Sequence, residues 1–219
     1  MYTLLSKLLL TGKLKFEQGK IVAFDEPFAL VPMVSLKKIT DDAIAKGQQN
    51  IQDVYLEGWI YGLAVTKNLI KLFNLKKFEE RYKIAMDIIG VIGFGDYQTL
   101  SFKRADHAKF RVIGNPFAKL YYPSKGLKIC HYIRGMEAGG GTLVHETIMN
   151  NIEFECASET GNDCIHANLA KHRLAEIDKS LVESQLDLNY LLPKQAKILE
   201  TYGYNPKEFN IDVDNLPKL

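Results

Sequence analysis

Between residues 50 and 73 the chain reads NIQDVYLEGWIYGLAVTKNLIKLF, with Ile51, Val54, Tyr55, Trp59, Leu63, Leu69, Ile70 and Phe73 at helical spacing. Gly58 and Gly62 lie one turn apart inside this helix. An interior glycine costs about 0.8 to 1 kcal/mol relative to alanine. The pair therefore predicts a neighbour pressed close to the backbone, either a second helix or a ligand. Asn50 is the expected N-cap, with Asp53 at the third helical position.

Around this helix the pattern alternates between strands and helices. KLKFEQGKIVAFD alternates about Gln18-Gly19 and FALVPMV is a short apolar run, which predicts two or three short strands. A helix is expected over 34–46 and a third over 75–92, ended by Gly93-Phe94-Gly95. A hairpin follows with strands near 97–103 and 108–113, closed by Asn115-Pro116. Residues 124–150 again read as helix, through Ile129, Ile133, Met136, Leu143, Val144 and Ile148, with Gly139, Gly140 and Gly141 interrupting it. Those glycines fit either a close backbone approach or a helix break. IEFECAS and DCIHANL form a hairpin around Gly161-Asn162. Beyond 171 two helices are expected, the second opening at Pro193 and ending before Gly203, and the tail from Tyr204 reads as polar and poorly ordered.

Composition narrows the function. The 219 residues are 47% apolar and 25% charged, as in a soluble globular protein. The net charge of +2, from 28 basic and 26 acidic residues spread along the chain, builds no basic field for nucleic acid or anionic lipid. No run approaches the roughly 18 apolar residues of a membrane span. In MYTLLSKLLLTGKLK, Lys7 splits the apolar stretch and no small-residue cleavage site follows, so the segment reads as docking onto the folded domain. A cytoplasmic location is expected. Three cysteines, all between 130 and 164, also argue against a secreted disulfide scaffold.

The stretch EFECASETGNDC places Glu153, Cys156 and Cys164 close in sequence, with Cys130 upstream. Three thiolates and a carboxylate satisfy the tetrahedral ligand count of zinc, and His166 is an alternative fourth ligand. The spacing lacks a C-x2-C knuckle, so on residues alone buried, apolar cysteines remain the competing reading. Residues three apart on a regular strand point to opposite faces, so joining Glu153 to Cys156 requires a bulge, expected at Glu155. His145 has no nucleophile placed beside it and reads as a packed helix histidine, while His107 reads as exposed in its turn. AGGGT follows a helix-like stretch and lacks the Gly-Lys-Ser/Thr ending of a phosphate loop.

Over roughly residues 12 to 170, FALVPMVSLKKI, YLEGWIYG, RVIGNPFA, KICHYIRGMEAGGG and the closing E-x2-C with its later G-x2-C resemble the 4-vinyl-reductase domain family. These are small-molecule-binding relatives of the transport-particle tethering subunits. The resemblance implies an α/β (α+β) fold with a small antiparallel sheet, helices mainly on one face, and a helical extension over 171–219. It implies zinc on Cys130, Glu153, Cys156 and Cys164, by carry-over from the family's phenol-sensing regulators, with Lys128, Arg134 or His131 as donors to a cluster of formal charge −2. Gly161 stands five residues after Cys156, where the family usually has four, which shifts the turn.

The elements that line the family's cavity hold Tyr55, Trp59, Phe94, Phe102, Phe117 and Tyr132 here, the candidate pocket residues. The histidine and tryptophan that anchor phenol in the regulators have no counterparts at matching positions, which points away from phenol. The implied function is a noncatalytic binding or sensor module for a small apolar or aromatic ligand, homodimeric through helices. Residues 171–219 are too short for an ATPase and hold no basic recognition helix, so output passes through a protein partner or the chain carries its ligand. The alternatives are a reductase of tetrapyrrole vinyl groups and a scaffold subunit of a tethering-like assembly. The first meets no G-x-G-x-x-G fingerprint, and a filled zinc shell leaves no open catalytic position.

Overall fold

The neighbour that Gly58 and Gly62 call for is a second glycine-bearing helix. In the computed structural model, which describes residues 2–24, 26–124 and 126–217, a Cβ on Gly58 would stand 2.0 Å from the Tyr132 carbonyl oxygen, and one on Gly62 would stand 1.9 Å from that of Met136. The contact is reciprocal, because a Cβ on Gly135 or Gly139 would meet the Tyr55 or Trp59 carbonyl oxygen at 1.9 Å. Side chains four apart share one helix face, so each helix presents two gaps to the other's backbone. The glycines at 139–141 thus lie inside a continuous helix and do not break it.

In chain order the elements are α1 (Tyr2–Leu10), β1 (Leu14–Glu17), β2 (Lys20–Ala23), β3 (Glu26–Phe28), α2 (Met33–Lys46), α3 (Gln48–Phe73), α4 (Phe78–Val91), β4 (Asp96–Lys103), β5 (His107–Ile113), α5 (Pro116–Lys119), α6 (His131–His145), β6 (Met149–Glu155), α7 (Ala157–Thr160), β7 (Cys164–Ala170), α8 (Lys171–Leu174), α9 (Lys179–Gln185) and α10 (Leu188–Thr201). The fold is α+β with two antiparallel sheets, β1-β2-β3 and β4-β5-β7-β6. Helix α6 packs on the larger sheet and α3 packs on α6. Leu8 of α1 is buried with Ala23, Phe24, Leu69 and Ile88, which fits a docking segment.

Several boundaries differ from expectation. Gly47, not Asn50, caps α3, and Asn74 ends it in a left-handed turn whose N–H reaches the Ile70 and Lys71 carbonyls. The stretch expected as helix over 124–150 is helical only over α6, and 149–155 is strand β6. The expected helix overran the first residues of β6 because this strand buries almost every residue on both faces and leaves no alternation to read, while the hairpin expected from IEFECAS and DCIHANL is present as β6 and β7. Pro193 sits inside α10, whose start is capped by the Asp187 side chain on Tyr190 N. The tail from Tyr204 is packed: Phe209 and Ile211 are buried and the Phe209 carbonyl accepts the Ile148 N–H, although residues 218–219 lie outside the described part.

Strand β6 is a sheet edge closed by side chains in place of a strand. The Gln185 amide accepts from Glu153 N and donates to Glu153 O, both at 2.9 Å. The Tyr55 hydroxyl accepts from Asn151 N at 3.0 Å, and Arg134 donates to Asn151 O at 2.9 Å. An open edge would invite further pairing, and these bonds remove it. They also draw the segment from 171 into the main core, where Leu186, Leu191 and Leu199 pack with Trp59, Leu63 and Ile152.

Substituting Gly62→Ala drives a methyl into the Met136 carbonyl and should destabilise the protein by about 3 kcal/mol or more. Ala64→Gly on the same helix should cost only about 1 kcal/mol. Urea denaturation of both variants checks this, and near-equal losses would contradict the backbone contact.

Candidate metal centre and buried cavity

Three elements bring the ligand set together. Cys130 is the residue that precedes α6, Glu153 and Cys156 stand at and just after the end of β6, and Cys164 opens β7. Glu153 pairs with His166 and Glu155 with Ile165, so Phe154 is the extra residue of a bulge, one position before the place expected. The bulge turns Glu153 and Cys156 to one side. One ligand atom from each of Cys130, Glu153, Cys156 and Cys164 lies within 4.8 Å of the others, and all four residues are buried. Cys130 Sγ and Cys156 Sγ are 4.0 Å apart, near the edge of about 3.8 Å for a tetrahedron with Zn–S bonds of about 2.3 Å.

The electrostatics of this set favour a cation. Burial raises the Glu153 carboxyl above its ordinary range, and Oε2 of Glu153 is buried with no hydrogen-bond partner. Burial and the other two thiols hold the Cys130 thiol well above its usual value, whereas donation from Cys130 and Cys164 lowers that of Cys156. The three sulfurs thus interact with one another away from solvent, an arrangement that a divalent cation can replace by taking all three. The orphaned carboxylate oxygen completes the donor count, so these residues fit a closed, structural metal site.

Hydrogen bonds to the cluster come from residues other than those expected. Asn115 Nδ2 donates to Cys130 Sγ and Cys164 Sγ at 3.5 Å, while its Oδ1 caps α5 through Phe117 N and Ala118 N. Ala157 N donates to Cys164 Sγ at 3.2 Å, and Ser158 Oγ lies 2.9 Å from Cys156 Sγ. Lys128 pairs instead with Glu159, and Arg134 donates to His131 Nδ1. Arg134 is fully buried with no carboxylate within ion-pair distance among the described residues; its charge acts through space and lowers Glu153. His166 is not one of the four clustered residues: its Nε2 lies 3.2 Å from Glu153 Oε1, and its Nδ1 lies 2.8 Å from Glu137 Oε2. Burial alone would lower its pKa, but these carboxylates, Glu137 first, hold it well above the ordinary value.

Glu137 joins this cluster to a cavity. It accepts from Tyr97 Oη at 2.7 Å and from Asn151 Nδ2 at 2.9 Å, and it borders a partly open space of about 40 Å³ between α3, α4, α6 and β5. Tyr61, Val65, Tyr82, Met86, Ile89, Phe110, Met136 and Val144 supply most of its apolar wall, with Thr66, Asn168 and His145 as polar members. That volume holds two or three waters, so a ring-sized guest enters only as flexible walls such as Met86 yield.

None of the six aromatic residues expected to line a pocket borders this space. Tyr55, Trp59 and Phe117 are buried elsewhere in the core, Phe94 and Tyr132 pack on each other at 6.5 Å, and Phe102 is half-exposed and stacked on Tyr82. Tyr55 and Trp59 lie on the part of α3 that meets Gly135 and Gly139 of α6, whereas the cavity uses 61, 62, 65, 66 and 69, further along the same helix. Glu137 escaped the sequence reading, in which Asn115 is only the close of a hairpin and His145 a packed helix histidine. The signal for Glu137 was a lone acid within GMEAGGG, a stretch otherwise small and apolar.

His145 is 1% exposed, stands edge-on to Phe78, and neither ring nitrogen has a well-formed hydrogen bond. Burial and then the neighbouring His107 lower its pKa to about 4, against the opposing pull of the Lys103 carbonyl and Asp106. The unfolded chain, near 6.5, then binds more protons than the folded one, so this contribution is complete above about pH 6.5 and is lost as pH falls to about 4. In His145→Leu the loss of stability across that window should be smaller than in the parent by up to roughly 3 kcal/mol, measured by denaturant titration at each pH. Identical pH slopes would contradict it.

No protein-family model and no curated protein matches the chain. Among solved structures it is similar to the phenol-responsive sensory domain of the transcription activator PoxR, solved with phenol, at 12% identity and a TM-score of 0.67, over 77% of this chain and 92% of that one. It is similar also to a trafficking protein particle complex subunit 3 from Naegleria fowleri, covalently bound to palmitic acid, at 10% identity and a TM-score of 0.50, over 64% and 93%. A vinyl-4-reductase family protein from Methanocaldococcus jannaschii overlaps more loosely, at 19% identity and a TM-score of 0.43 over 64% and 82%. At these identities the likeness is one of architecture: the chain has the fold of the 4-vinyl-reductase-type sensory domains and the transport-particle subunits.

Proposed function

We propose that the protein is a noncatalytic binding or sensor module for a small apolar molecule, its pocket braced by one structural zinc ion on Cys130, Glu153, Cys156 and Cys164. The observation that carries this reading is an apolar cavity linked to the buried donor set through Glu137 and His166. The fold shared with a phenol-responsive sensory domain supports it. Zinc bound there supplies a crosslink between the start of α6 and the β6–β7 hairpin, with no open position for reaction. Association as a homodimer and output through a protein partner belong to the same reading. Among the described residues no helix is long and apolar enough to cross a membrane.

Native mass spectrometry of freshly purified protein tests the ligand: a retained small molecule supports a binding module, and a stable hetero-complex without one favours a scaffold subunit. Turnover of a vinyl-bearing tetrapyrrole with reduced nicotinamide would overturn the noncatalytic reading. Elemental analysis of protein prepared without added metal should find about one zinc per chain, and its absence would remove the metal from the account.

Arg134 sets a second expectation. Two positive charges on zinc against three thiolates and a carboxylate leave −2, and the buried guanidinium offsets part of it. Arg134→Gln should weaken zinc binding at least tenfold in competition with a chromophoric chelator, and Arg134→Lys should weaken it less. Equal losses in both would assign Arg134 to packing alone.

A further inference from the structure

The proposed ligand site holds a buried imidazole without a well-formed hydrogen bond. His145 lies at the cavity wall, and neither ring nitrogen meets a partner in good geometry, the Lys103 carbonyl acting on it only weakly, a costly state for a polar group removed from water. Two of the other polar members, Glu137 and Asn168, are already engaged. Glu137 accepts from Tyr97, Asn151 and His166, and the Asn168 side chain is held by Asn151 and the Glu137 carbonyl. Thr66 Oγ1 lies where a Cβ on Gly140 would stand at 2.8 Å, so that wall has no space to spare.

We infer that His145 is the specificity-determining contact of the cavity and selects a small, neutral, apolar molecule carrying one hydrogen-bond-donating group, a hydroxyl or an amine. The inference rests on the binding reading above and adds the ligand's chemistry to it. Burial keeps the imidazole neutral near pH 7; the Lys103 carbonyl is the acceptor for its N–H, which leaves the lone pair of the other nitrogen to accept from a guest. Phe78 and Tyr82 stand edge-on to the ring and offer it no hydrogen bond of their own. A carboxylate guest is disfavoured twice: Glu137 borders the same space, and a buried anion finds no free cation on the cavity wall. A plain hydrocarbon fits the walls but leaves His145 unsatisfied. A site with an unpaired buried polar group discriminates against a guest that cannot satisfy it.

Calorimetric titration of the full chain with benzyl alcohol, toluene and benzoate tests this. The parent should bind benzyl alcohol at least about tenfold more tightly than toluene, with benzoate weakest. His145→Leu should abolish the preference by weakening the alcohol while leaving toluene within about threefold. His145→Gln, which keeps an acceptor, should restore part of it and serves where the leucine variant fails to fold. Equal affinity for alcohol and toluene in the parent, or a preference that survives in His145→Leu, would overturn the role of His145 and leave the binding module standing. Failure of all three probes to bind the parent would overturn both.

Discussion

Everything else in this fold is arranged around two helices whose backbones touch. Gly58 and Gly62 of α3 meet carbonyls of α6, and Gly135 and Gly139 of α6 meet carbonyls of α3. The interface tolerates no Cβ at any of the four, so the relation of the two helices is fixed by sterics more than by side-chain packing. Helix α6 also carries chemistry along its length: Cys130 precedes it, Arg134 and Glu137 lie on its buried turns, and His145 ends it. Fixing α6 against α3 therefore positions the donor set and the cavity in one step.

Between those two places runs a line of buried polar groups. Tyr97, Glu137, His166 and Glu153 follow one another by hydrogen bonds of 2.7 to 3.2 Å, and the last is a member of the cysteine cluster. Partly satisfied polar chains are costly in a protein interior, while fully satisfied ones make the core specific. Here the chain is closed at nearly every atom, and the exceptions are informative. Glu153 Oε2 is open toward the three cysteines, and His145, outside the chain, is open at the cavity. In the proposed function a metal ion completes the first and a small ligand the second.

How far the sequence made this legible differs by feature. The close approach at Gly58 and Gly62 was readable because an interior glycine has a cost that needs a cause. The four-residue donor set was readable from residue types together with a family resemblance, although the bulge that joins Glu153 to Cys156 fell one residue from its expected place. The hairpin of β6 and β7 was readable, but the first residues of β6, 149–150, read as the end of the preceding helix because a strand buried on both faces shows no alternation, and its edge is closed by side chains of Tyr55, Arg134 and Gln185. The six aromatic residues named for a pocket do not border this cavity: Tyr55 and Trp59 share a helical face with its Gly62, Thr66 and Leu69 but lie earlier along α3, and position along a helix axis cannot be read by counting aromatics. The packed tail was hidden likewise, because Phe209 and Ile211 are isolated apolar residues that join a core cluster drawn from segments distant in sequence.

The account turns on a cation at the junction of α6 and the β6–β7 hairpin. Anomalous diffraction at the zinc edge, from crystals of protein purified without added metal, tests it most directly. The account predicts one peak enclosed by Cys130, Glu153, Cys156 and Cys164, about 2.3 Å from each sulfur. A disulfide between Cys130 and Cys156, or ordered thiols with no peak among them, would contradict it.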